Sequence, residues 1–92
     1  MTQYIYLGSV AEQEDELFIS VSDRPATEYG GFHKVSFRKE HPRTVEAIQE
    51  IVDENKPLLV ETNYWALGDD ERGLQKRALS VRGAIRRILS GE

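Results

Sequence analysis

Near the end of the 92-residue chain, Leu74, Ala78, Val81, Ile85, Ile88 and Leu89 recur at the i, i+4, i+7 spacing of one helical face. No other stretch constrains the fold as much. A helix with an apolar stripe must lay it on a second surface, and the rest of the chain has to supply that surface. Burying one large apolar side chain is worth about 1.5–3 kcal/mol, so the stripe is expected to rival the net stability of a small domain. Lys76, Arg77, Arg82, Arg86 and Arg87 occupy the rest of the wheel, and Gly83 lies mid-helix opposite the stripe. Asp69, Asp70 and Glu71 precede the helix, where a side-chain cap and the helix dipole both favour negative charge.

The earlier residues read as short strands and one further helix. In Gln3 to Leu7, Ile5 and Leu7 point one way and Tyr4 and Tyr6 the other. Gly8 and Ser9 are expected to end that strand. The acidic run Glu12-Gln13-Glu14-Asp15-Glu16 is expected to form a solvated hairpin connection, since it lacks the ligand spacing and central glycine of a calcium loop. Leu17 to Ser22 alternates again and stops at Asp23-Arg24-Pro25. The Gly30-Gly31 pair suits a turn before a third alternating stretch, Phe32 to Arg38. Pro42 fits the first turn of a helix that carries Val45, Ile48, Ile51 and Val52 on one face and Glu46, Glu50, Asp53 and Glu54 outside it. Asn55-Lys56-Pro57 ends that helix, and Leu58 to Thr62 reads as a fourth strand. Asn63 to Leu67, with Tyr64 and Trp65, either extends this strand or turns toward the last helix. The expectation is one α+β domain over residues 1–92. Its sheet is mainly antiparallel, of about four strands in the order β-β-β-α-β-α, with two helices packed on one face.

Composition narrows the chemistry. There is no cysteine, which excludes disulfides, thiolate nucleophiles and cysteine-based zinc sites. No apolar run approaches the ~18–20 residues that span a bilayer, and the N-terminal residues lack the basic and apolar segments of a signal peptide. A cytoplasmic location is the expectation. The formal charge of −4 is unevenly spread: residues 1–62 carry 6 basic and 12 acidic side chains, residues 63–92 carry 6 and 4. Such a split reflects either internal charge matching or a basic face for an anionic partner.

The two histidines, His33 and His41, fall on different elements at no common metal spacing, and no nucleophile elbow, phosphate loop or zinc-deaminase signature occurs. Neither catalysis nor a cofactor nor a metal is therefore expected. The sheet offers more. With Ile5, Leu7, Leu17, Ile19, Val21, Val35 and Phe37 turned toward the helices, Tyr4, Tyr6, Phe18, Phe32, Lys34 and Arg38 share the opposite face. Rings beside cations suit base stacking on single-stranded nucleic acid, and they equally suit the centre of a protein interface. Two other surfaces are candidates: the basic helix with Lys76, Arg82, Arg86 and Arg87, and the acidic helix with Glu46, Glu50, Asp53 and Glu54.

Ile5-Tyr6-Leu7-Gly8-Ser9-Val10 resembles the first short motif of an RNA-recognition motif domain, and Gly31-Phe32-His33-Lys34-Val35-Ser36-Phe37 resembles part of the second. The resemblance implies RNA stacking on Tyr6 and Phe32. The chain departs from that family in leaving too few residues for a helix between its first two strands, and in placing Lys34 where a stacking ring belongs. The reading preferred from the residues is a non-catalytic module that binds a protein. By analogy of size and composition it is a small inhibitor or regulator of a larger host or nucleic-acid-processing complex, of the phage or mobile-element type. Single-stranded nucleic-acid binding, through the sheet face or the basic helix, is the alternative.

Overall fold

A computed structural model describes residues 2–25 and 32–91, apart from the side chain of Phe32. The strands are β1 (Gln3–Gln13), β2 (Glu16–Ser22), β3 (Phe32–Arg38) and β4 (Leu58–Val60); the helices are α1 (Thr44–Asp53) and α2 (Glu71–Leu89). The sheet is antiparallel throughout, in the order β3-β2-β1-β4. The expected α+β architecture and element order are those observed. The Gly30-Gly31 turn lies outside the described residues.

The first strand does not stop at Gly8 and Ser9. It runs on to Gln13 through an irregularity in register between Leu7 and Ser9. This bulge changes which positions face inward. Ile5 and Leu7 point into the core, but beyond the bulge Val10, paired with Ile19, does so instead. The acidic run accordingly extends both strands, and Glu14 and Asp15 alone make the turn, with Glu14 at φ 58°. No helix separates β1 from β2, so the order implied by the RNA-recognition motif is not that of this chain.

Between α1 and β4 the chain turns on Asn55 at φ 50°. The Asn55 amide bonds to the Val52 carbonyl (3.1 Å) and the Lys56 amide to that of Ile51 (3.2 Å), the paired bonds of a Schellman stop. At the other end of α1, His41 holds the turn. Its carbonyl accepts from the Thr44 amide (3.0 Å) and its Nδ1 from the Arg43 amide (3.2 Å).

The core lies between the sheet and the two helices. Ile5, Leu7, Leu17, Ile19, Val21 and Val35 meet Ile48 and Ile51 of α1 and Val81, Ala84 and Ile85 of α2 there. α1 packs on β1, and α2 reaches both edge strands, β3 and β4. The buried face of α2 keeps the middle of the stripe read from its hydropathy, Val81 and Ile85, but is turned away from its ends. Leu74 and Leu89 are 45% and 49% exposed, Ala78 and Ile88 are half-buried, and the deepest line is Gly73, Arg77, Val81, Ala84 and Ile85. The helix is rotated toward its small residues because Gly73 lets the backbone touch the preceding loop. A Cβ placed there would lie 2.0 Å from the Gly68 carbonyl oxygen. Arg77, expected on the solvent side, is thereby carried into the core at 2% exposure.

Candidate functional site

The face of the sheet away from the helices carries Tyr4, Tyr6, Phe18, Lys34 and Arg38, as expected, together with Leu59 from β4. Tyr4 is 60% exposed, Leu59 42% and Phe18 39%. Pairing register shows how they are laid out. Tyr4 lies opposite Leu59, and Tyr6 follows on the same strand, giving one continuous apolar patch at the β1–β4 side. Phe18 sits at the far end, in the row Ala11, Phe18, Ser36. A polar row of Ser9, Ser20 and Lys34 separates the two, with Ser9 Oγ and Ser20 Oγ hydrogen-bonded at 2.9 Å. Among the described side chains the structure thus brings the residues to one face without gathering them into one platform; the side chain of Phe32, expected on this face, lies outside the described residues. Arg38 stands across from Glu16 beside the acidic hairpin tip, so its charge is locally opposed.

The basic helix is largely engaged within the chain. Arg86 forms a two-pronged pair with Glu40, its Nε lying 3.0 Å from Oε2, and Arg82 Nε approaches the same carboxylate at 3.8 Å. Hydrogen bonding from Arg86 holds the Glu40 carboxyl below its ordinary value, and Arg82 acts in the same direction. Arg87 Nη2 donates to the Leu59 carbonyl (2.8 Å) on β4. Of the four cations singled out on this helix, Lys76 alone, among the described residues, has no such partner. The carboxylates Glu46, Glu50, Asp53 and Glu54 are all exposed on the outer side of α1, and Asp53 accepts from Gln49 Nε2 at 2.9 Å. Asp70 supplies the cap of α2, its side chain accepting from the Gly73 amide at 2.8 Å.

A second cluster escaped sequence reasoning. His33 stacks on Trp65 with ring centroids 5.3 Å apart and meets Tyr64 edge-on at 6.0 Å. The Arg77 guanidinium lies over the Tyr64 ring, 5.8 Å from its centroid. Arg77 also pairs with Asp69 at 2.9 Å and donates to the Leu67 carbonyl. The segment is held to β1 by Gln3, which donates to Asn63 Oδ1 (3.1 Å) and accepts from the Trp65 amide (3.2 Å). His33 Nδ1, Tyr64 Oη and Arg77 Nε are buried without a hydrogen-bond partner, so the three polar atoms of this kind among the described residues fall in one cluster. Burial holds the His33 imidazole below its ordinary value; the Arg77 cation lowers it further, and Asp69 opposes both. Burial pushes the Tyr64 phenol up to about 12, with Arg77 working against that shift. The available signal was the line Gly73, Arg77, Ala84, two small residues flanking a cation beside Val81 on the helix.

Among the described residues no group of three or more histidine or carboxylate side chains is placed to hold a metal ion, and no helix is long and apolar enough to cross a membrane. No protein-family model matches the chain, and comparison with curated proteins and with solved structures finds no significant match.

Proposed function

We propose that the chain is a non-catalytic module that docks a protein partner on its open sheet face, centred on Tyr4, Tyr6 and Leu59. The observation that carries this reading is the Tyr4–Leu59 pair. Two large side chains stand directly opposite one another, both substantially exposed, on a face that neither helix covers. Exposed aromatics next to aliphatics are what interface centres are built from, and tyrosine is favoured there because it buries a large surface at little entropic cost. Occupying that face would make the module a regulator or inhibitor of the partner by steric exclusion.

Nucleic-acid binding is less well supported by the same geometry. Stacking of successive bases needs a run of adjacent rings, and the Ser9–Ser20–Lys34 row separates Phe18 from Tyr4 and Tyr6. Arg82 and Arg86 share the single carboxylate of Glu40, and the acids of the hairpin tip flank Arg38.

The test is photo-crosslinking from position 4 in cells, with crosslinking from Glu50 as the control site. One discrete adduct from position 4 is expected, lost in a folded Leu59→Ser, Tyr6→Ser double variant and kept in a Glu46→Gln, Glu50→Gln double variant. Anisotropy titrations of the purified chain with labelled single-stranded RNA and DNA at low salt should show no binding. Tight, steeply salt-dependent binding of either strand would sink the protein-docking reading.

A further inference from the structure

The two edges of the sheet are treated differently. On the β4 side the edge is three residues long, and Arg87 closes it by donating to the Leu59 carbonyl. On the other side β3 offers seven residues, and the backbone of Phe32–Arg38 makes no hydrogen bond to any described residue outside its pairing with β2. An edge of that length with no partner among the described residues is a template for another strand.

The flanks of β3 specify what that strand should look like. On the helix side a groove of about 410 Å³ separates β3 from α2, bordered by Lys34, Ser36, Glu71, Leu74, Gln75 and Ala78. Leu74 forms its apolar wall and is 45% exposed, the side chain of the amphipathic stripe that the chain itself leaves half-covered at the start of α2. On the open side β3 presents Lys34, which forms no ion pair among the described residues, while Arg38 stands across from Glu16.

We infer that β3 receives an extended segment of another protein by strand addition, and that the segment alternates apolar residues, which enter the Leu74 groove, with acidic residues on the open side, where they meet Lys34. Main-chain hydrogen bonds give such a complex its strength, and alternate side chains give it selectivity. A second copy of β3 fits poorly, because Phe-His-Lys-Val-Ser-Phe-Arg has no acid and would add two more cations to the same face. The inference stands apart from docking on the Tyr4–Leu59 patch, which lies at the opposite side of the sheet.

The test uses the full chain and an acetylated, amidated heptapeptide of alternating valine and glutamate, followed by amide chemical shifts and isothermal titration. Two further peptides carry N-methyl groups on alternate residues, one on each parity, since only one parity of amides points at β3. The expected result is micromolar binding that weakens with salt, shifts confined to residues 32–38 and the start of α2, and loss with one N-methylated peptide but not the other. A Lys34→Glu variant should lose about tenfold in affinity or more. A Tyr4→Ala, Phe18→Ala variant should bind as the parent does. No binding, equal loss or equal retention with both N-methylated peptides, equal binding of a valine–lysine peptide, or loss in the Tyr4→Ala, Phe18→Ala variant would each overturn the inference and leave the sheet-face reading untouched.

Discussion

Gly73 and Gly83 sit on the same helix ten positions apart, and replacing each with alanine should move stability in opposite directions. At Gly83 a Cβ would meet nothing within 4 Å. The substitution therefore recovers helix propensity without a packing cost, worth about 1 kcal/mol. For a chain of this length that corresponds to a rise of roughly 4–8 °C in Tm. At Gly73 the new Cβ would lie 2.0 Å from the Gly68 oxygen, 2.8 Å from the Gly68 carbonyl carbon and 3.1 Å from Asp70 Oδ1. The first two are backbone atoms and cannot swing aside as a flexible side chain would. Relief requires the loop before α2 to move, and that loop holds both the Asp70 cap and the Leu67 carbonyl that Arg77 donates to. Overpacking of this kind costs about 1–3 kcal/mol, and the coupled loss of cap and hydrogen bond places Gly73→Ala at the upper end of that range. Urea and thermal unfolding followed by circular dichroism on the two single variants decide the matter. A Gly83→Ala protein no more stable than the parent would refute the open space read at this position. A Gly73→Ala protein that matches the parent would refute the account of why α2 is rotated. Gly83→Ala also bears on function, since a variant that is more stable yet loses its partner would show that the partner approaches the helix backbone there.

Three further outcomes are expected. The folded-state pKa of His33 is lowered, so the unfolded chain binds its proton more readily; stability is full above the unfolded value near 6.5 and declines as pH falls through the folded value. Comparing urea midpoints of parent and His33→Gln at pH 7.5 and pH 5 should show a smaller acid-side loss in the variant, and identical losses would contradict the burial argument. Arg77→Met should cost about 1–2 kcal/mol, because the stem is replaced, Asp69 is left 86% exposed in water and the unpaired Nε is removed, but the Leu67 carbonyl loses its donor, whereas Arg77→Ala should cost about 2–4 kcal/mol through the cavity it also opens; equal losses in chemical denaturation would show that the polar contacts, not the stem, matter. Tyr64→Phe removes a buried hydroxyl that has no partner and should leave stability unchanged or raise it by up to about 1 kcal/mol, and a loss above that size would reveal a hydrogen bond to that oxygen in solution.

What the chain determines locally is its list of elements. Alternation marked β2 and β3, the Asn55 signal ended α1, and the aspartates before Glu71 announced the start of α2, because each depends on residues within one turn or one strand; α1 itself begins at Thr44, two residues after Pro42. Alternation also placed Tyr4, Tyr6, Phe18, Lys34 and Arg38 on one face. Tertiary structure decided how those elements meet. The bulge after Leu7 brings Val10 inward because β2 supplies a partner for it, and nothing near Gly8 announces that partner. The gap between Tyr4 and Phe18 follows from register, which is a relation between strands. The rotation of α2 runs against its hydropathy. Backbone approach at Gly73 and the carbonyl waiting at Leu67 outweighed the burial of Leu74 and Leu89, and so the helix put an arginine in the core and left leucines at its ends. Hydropathy ranks side chains one at a time, whereas the packed position of a helix is set by what can come close to what.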